Sequence, residues 1–326
     1  MTSTMLSLLG LDPGAYRSSA LHSPSRLFPE TNCYVDLWIE LLHAQGFNPA
    51  GAMVSAFTVD FEGDQWTFFK PWPEELLLLF GIDVHEMQLY RPVVDHITEQ
   101  IAKGRTIVIE ADSFFLPDTA GTSYQQNHVK SSIAIEGIDT AEQRLRYFHG
   151  SSYYELSGSD YCGVLRLGRK FCDDVLPPYV ELVRFDAGPR LGGANLRAGA
   201  RELTRRALAR KPDRNPWITF GERLTRDLSA LLAGTESTYH AYAFATVRQC
   251  GAAFELAQSF VEWLGAPDCA DTKAAAEAFG RQAAGAKTLL FKLARRRRFD
   301  PDLEIEQLAS EWETAIRSLD CVVSHH

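Results

Sequence analysis

The feature that most constrains this chain is a change of periodicity near residues 188–193. Before it, β-branched runs at residues 105–112 and 129–137 have the character of buried strands. After it, residues 196–209, 217–233, 238–264, 271–293 and 303–319 repeat apolar side chains at helical spacing, with Gly and Pro mostly at the joints. The switch predicts an α+β domain followed by an all-α domain of about five helices. A length of 326 residues suits two domains. The divisions expected are a loosely held lead-in at 1–25, rich in Ser, Gly and Pro, an α+β domain at 26–187 and a helical domain at 195–326.

Within the first part, residues 129–137 and 144–150 flank a short turn at Asp139-Thr140 and should pair antiparallel. Residues 179–186 offer one more strand, and residues 73–80 and 92–103 short helices stopped by Gly81 and Gly104. Asp60, Glu62 and Asp64 alternate around Gly63. They lack the length and closing glutamate of a calcium loop, so they read as a solvated turn. The terminal His325-His326 is too short for a metal site, and no bound metal or cofactor is expected.

Net charge −9 and pI near 5.5 argue against a nucleic-acid binder. The densest apolar run, residues 76–80, falls far below the ~20 residues of a membrane span. Six cysteines follow neither zinc nor disulfide spacing and no secretory leader is evident, which favours a reducing cytoplasm.

The stretch with the most chemistry is residues 31–42. Leu37, Trp38, Leu41 and Leu42 share a helical face, Thr31 or Asn32 can cap it, and Gly46 can close it. Cys33 then falls in the first turn, where free N–H groups and the helix dipole stabilise a thiolate. A lone cysteine is ordinarily a small buried apolar residue, and its position here is the argument for more. A cysteine nucleophile needs a base, usually histidine, and a group to orient it. His128 stands at the start of a strand about 95 residues on. A polar residue follows on the next strand, which is the chain order of papain-like cysteine enzymes.

Several motifs together resemble an uncharacterised bacterial family, domain of unknown function 1839. They are Cys33-Tyr34-Val35-Asp36-Leu37-Trp38, Asp60-Phe61-Glu62-Gly63-Asp64-Gln65-Trp66, Leu116-Pro117-Asp118-Thr119, His128-Val129-Lys130 and Tyr147-Phe148-His149. More distantly, the cysteine helix, Asp112-Ser113-Phe114-Phe115-Leu116-Pro117 and His128 resemble the amino-terminal domain of the butirosin biosynthesis protein H family. Those proteins are papain-like acyltransferases that move an aminoacyl group from a carrier-protein phosphopantetheine thioester to an amine.

The resemblance implies a papain-like domain with Cys33 as nucleophile and His128 as general base and acid. Papain-like enzymes put Asn or Asp on the strand after the histidine, where this chain has His149, so either His149 or Asp112 orients His128, or the site is a dyad. The usual oxyanion glutamine is replaced by Leu27. The Cys33 N–H and the Asn32 side chain are the remaining donors, which favours acyl transfer from a thioester over amide cleavage. The implied reaction is ping-pong through an acyl-Cys33 intermediate, with Trp66, Phe114, Phe115 and Tyr124 as walls that exclude water. The implied partners are a small acyl or peptidyl carrier protein and a small-molecule amine. Arg201, Arg205, Arg206, Arg210, Lys211 and residues 295–298 offer a basic docking face, or simply a solvated one that complements helix ends. A thioester or amide hydrolase on the same fold, and a non-catalytic carrier-binding protein, are the alternatives.

Overall fold

A computed structural model of the protein describes residues 5–168, 176–266 and 268–324. Cys172, His325 and His326 lie outside the described residues. The elements run β1 (Leu6–Ser7), α1 (Cys33–Ala44), β2 (Phe61–Glu62), β3 (Gln65–Trp66), α2 (Pro73–Phe80), β4 (Asp83–Glu86), α3 (Val93–Ala102), β5 (Thr106–Asp112) and β6 (Lys130–Asp139). They continue with β7 (Arg144–His149), β8 (Ser152–Ser157), α4 (Ser159–Val164) and β9 (Val180–Arg184). Six helices follow: α5 (Gly193–Leu208), α6 (Pro216–Ala233), α7 (Glu236–Ala243), α8 (Gln249–Leu264), α9 (Ala270–Ala294) and α10 (Asp302–Ser324). The protein is α+β, with an antiparallel sheet and a C-terminal helical region.

Two compact units draw on discontinuous segments. One, the sheet unit, comprises Met1–His22, Asn32–Pro49 and Leu76–Arg190; the other, the helical unit, comprises Ser23–Thr31, Ala50–Glu75 and Leu191–His326. The linear division into 26–187 and 195–326 does not separate these segments, because periodicity is local and packing partners are not.

In the sheet unit the strands lie in the order β4-β9-β5-β6-β7-β8, and β1 also pairs with β6. Every pairing is antiparallel. Alternation gives the sheet two distinct faces. Ile107, Ile109, Ile133, Ile135 and Tyr147 form one core with Val93, Ile97 and Ile101 of α3 and Tyr161 and Val164 of α4. The other face carries Val108, Glu110, Ser132 and Ala134, and α1 packs there against β6 and β7. Strand β8 has no clear signal in the sequence. Gly150, at φ +49°, makes the tight turn that returns it along β7.

The lead-in is not loose over its described residues. Ser7 Oγ donates to Glu136 at 2.6 Å, and Tyr153 OH donates to the same fully buried carboxylate. Tyr16 OH donates to Glu40 at 2.6 Å, and His22 sits between Glu40 and Asp36. Burial opposes a charge on His22, but those two carboxylates outweigh it and raise its pKa to about 9.

In the helical unit, Trp66 of the β2–β3 hairpin packs on Trp217, Phe220 and Phe254. Glu255 accepts from the N–H groups of Leu27 and Phe28 at 2.9 and 2.8 Å. The acidic turn of the hairpin, with Gly63 at φ +67°, is solvated. Residues 238–264, expected as one helix, are α7 and α8 with a π turn, Phe244–Arg248, between them; such a wide turn shifts the buried face. No described helix is long and apolar enough to cross a membrane.

Candidate functional site

Helix α1 begins at Cys33 because Asn32 is extended (φ −149°, ψ 156°) and its side-chain oxygen accepts from the N–H groups of Tyr34 and Val35 at 3.2 and 3.0 Å. The Asn32 carboxamide oxygen is thus committed to the cap, and an oxyanion donor from this residue would have to be its Nδ2. Cys33, half-buried, points its thiol at β6, where Sγ donates to Ser132 Oγ at 3.7 Å. The next residue anchors the helix end. Tyr34 OH donates to the buried Glu181 at 2.8 Å, and Tyr179 OH donates to its other oxygen at 2.9 Å. Burial, and then the Glu181 charge, push the Tyr34 hydroxyl well above the usual tyrosine range.

Strands β5 and β6 place polar groups beside this thiol. The register pairs Asp112 with Lys130 and Glu110 with Ser132, so all four share the face that carries Cys33. Lys130 Nζ lies 3.0 Å from Glu110. His128 precedes the strand, and its Nδ1–H donates to Asp112 Oδ2 at 2.6 Å. Its ring stacks on Phe114 at 4.5 Å between centroids. The other Asp112 oxygen accepts from the Phe114 N–H at 3.0 Å. Asp112 therefore fixes the imidazole and leaves Nε2 directed away from the carboxylate.

The His128 side chain is 69% exposed. It stands four residues before Ser132, about 13 Å along an extended strand. Among the described residues the Cys33 thiol hydrogen-bonds Ser132 and not His128. A cation also faces this group of acids: burial holds the Arg166 guanidinium below its usual range, with Asp112 and Glu110 pulling the other way. Neither Ser132 nor Arg166 carries a signal in the sequence. Ser132 is legible only once the register of β6 against α1 is known.

The remaining candidates separate. His149 lies on the opposite face of the sheet. Its Nδ1–H donates to Asp118 at 2.5 Å, and its Nε2 meets Ser131 Oγ at 2.6 Å. It does not contact His128, so Asp112 is the residue that orients that ring. Trp66 is a core residue of the helical unit, since the hairpin that carries it folds there. Tyr124 OH donates to Asp160 at 2.9 Å, and Phe115 packs flat on Gly163, where an added Cβ would come within 2.2 Å of the ring. Of the four expected walls, Phe114 is the one seen stacked on His128.

Two further features bear on the chemistry. Cys269, half-buried before α9, has its thiol held below the usual range by hydrogen bonds from Thr272, which makes it a competitor in any thiol assay. The basic residues of the helical unit are largely engaged within it. Arg201 donates to the last carbonyl of α8, Leu264, at 3.2 Å, and Arg205 donates to Val323 near the end of α10. Arg206 pairs with Glu202 and Glu74, Arg210 stacks on Trp72 at 3.8 Å, and Arg296 donates to Gly234 at the end of α6.

Comparison with known proteins adds a family but no activity. No curated protein matches the chain. The family model described as the DUF1839 N-terminal domain matches residues 17–185, which takes in Cys33, Asp112, His128 and β5 to β9. The model described as the DUF1839 C-terminal domain matches residues 193–321, which takes in α5 to α9 and most of α10. With both models matched in order along most of its length, the chain belongs to the DUF1839 family.

Proposed function

We propose that the sheet unit is a papain-like cysteine acyltransferase. Cys33 takes an acyl group, most simply an aminoacyl group, from the phosphopantetheine thioester of a small carrier protein and passes it to an amine. The observation that carries this reading is the Asp112–His128 pair at 2.6 Å, on the sheet face to which the tip of α1 delivers the Cys33 thiol. Asp112 holds Nδ1–H, so Nε2 is the basic nitrogen. The proton of Cys33 reaches it through water or after an inward swing of the ring off Phe114. The thiolate attacks the thioester carbonyl, and the Cys33 N–H at the start of α1 receives the oxyanion. Pantetheine thiolate leaves with the proton from His128. The amine then attacks acyl-Cys33, loses its proton to His128, and releases the enzyme.

The test is intact-mass analysis after incubation with a panel of aminoacyl carrier proteins. Wild type should gain one acyl mass, mapped to Cys33, and Cys33→Ala should gain none. His128→Ala should slow acylation about a hundredfold or more, with Asp112→Asn slowed in the same direction. Absence of an acyl adduct across the panel, or an adduct retained in Cys33→Ala, would remove the proposal.

The exposure of His128, 69% of its side chain, favours a second reading. Water reaches the base, so the same intermediate can end in hydrolysis. Release of free acid from the carrier thioester without any amine, at a rate that added amines leave unchanged, identifies a thioesterase.

A further inference from the structure

The face of the sheet opposite Cys33 holds a second arrangement of nucleophile, base and acid, and we infer that Ser131, His149 and Asp118 form a serine acyl-hydrolase site for small carboxylic esters. Ser131 Oγ stands 2.6 Å from His149 Nε2, and His149 Nδ1 stands 2.5 Å from Asp118 Oδ2. That sequence of contacts is what serine nucleophiles require: the base takes the hydroxyl proton at one ring nitrogen while a carboxylate fixes the tautomer at the other. Tyr147 OH donates to the second Asp118 oxygen at 2.5 Å, so the orienting carboxylate is itself held in place.

Three elements supply the trio independently. Ser131 comes from β6, His149 from the end of β7, and Asp118 from the helical turn Pro117–Thr119. The β6–β7 ladder has its first register pair at Ala134 and Phe148, so residues 130–132 have β5 on one edge and no paired strand on the other, among the described residues. Ser131 therefore lies where that ladder opens. A further hydroxyl is available. Ser113 Oγ is buried without a hydrogen-bond partner among the described residues. Ser113 follows by two residues Ala111, which is paired with Ser131, and its N–H donates to Val129. A buried unpaired hydroxyl is costly unless something uses it, and a carbonyl oxygen on Ser131's acyl group is a suitable acceptor.

The remaining neighbours set the substrate class. Ala111 and Ile133 share the face of Ser131, and both are buried and apolar, as is Leu116 in the covering loop. Ser131 and His149 are only 7% and 8% exposed, which restricts the substrate to a narrow acyl group. In the first step the Ser131 oxygen bonds to the ester carbonyl carbon and its proton moves to His149 Nε2. The carbon–alkoxide bond then breaks, and the alcohol leaves with that proton. Water repeats the sequence on the acyl-serine and releases the acid.

The experiment uses full-length protein carrying Cys33→Ala, so that the thiol cannot contribute, with a small fluorophosphonate as probe and peptide mapping of the adduct. One adduct on Ser131 is expected, absent in Ser131→Ala and slowed about a thousandfold in His149→Gln. Asp118→Asn, a smaller change, should slow labelling in the same direction if His149→Gln does not fold. A folded protein that takes no label, or takes it at another serine, overturns the inference. So does labelling of Ser131 at an unchanged rate in whichever of His149→Gln and Asp118→Asn folds. Because Cys33 is absent throughout, none of these outcomes depends on the acyltransferase reading.

Discussion

At the scale of single residues, the imidazoles of His22 and His128 in the sheet unit both meet carboxylates, and the surroundings decide what each does. His22 is enclosed between Asp36 and Glu40 and holds its proton to about pH 9, against 6.5 for a free imidazole. Folding raises the proton affinity of this ring, so its stabilising contribution is complete below about pH 6.5 and is lost as pH climbs through about 9. Unfolding free energies of wild type and His22→Gln should therefore differ most at or below pH 6.5, by about 3 kcal/mol, and converge above pH 9. A difference that grows with pH would contradict the assignment. His128, by contrast, is bound to one carboxylate and open to solvent. Cys33 was legible in the sequence through its cap and period. The choice of Asp112 over His149 as partner of His128 was not, because it turns on which face of the sheet each residue occupies.

At the scale of elements, α1 is the piece on which the site depends, and its start is set by one side chain. Asn32 caps two N–H groups, so Asn32→Ala should cost about 1 kcal/mol of stability. Asn32→Asp keeps an acceptor at that place and should restore most of the loss. The same pair tests the oxyanion role: if Asn32 donates to an oxyanion, Asn32→Asp folds normally yet acylates slowly, whereas a residue that only caps leaves the acylation rate of Asn32→Asp near wild type. Helices α5, α6, α9 and α10 and strands β5 to β7 were visible as periodicity. Strand β8 was not, since Ser152–Ser157 reads as polar and aromatic without a clean alternation and is fixed by the tight turn before it. The break between α7 and α8 was hidden for a similar reason, as a π turn leaves the composition of a helix unchanged.

At the scale of the whole molecule, the two family models divide the chain near the change of periodicity, while its compact units draw on discontinuous segments. Residues 23–31 and 50–75 belong to the helical unit, with Phe61 and Trp66 each 3% exposed in its core. A fragment ending at residue 190 would lack Trp217, Phe220 and Phe254, the partners of Trp66. Limited proteolysis should cut this fragment within residues 50–75 and leave the same stretch intact in the full chain; equal protection would contradict the discontinuous unit. The family assignment covers both parts of the chain, and the proposed chemistry rests on the sheet unit. Its central claim is that Cys33 is a nucleophile served by His128. The most direct measurement is the rate of iodoacetamide labelling at each cysteine at pH 7, resolved by peptide mapping, in wild type and His128→Ala. Cys33 should lead, ahead of Cys269, and should lose that lead when the imidazole is removed. A Cys33 that labels no faster than its fellows, or equally fast without His128, contradicts the account.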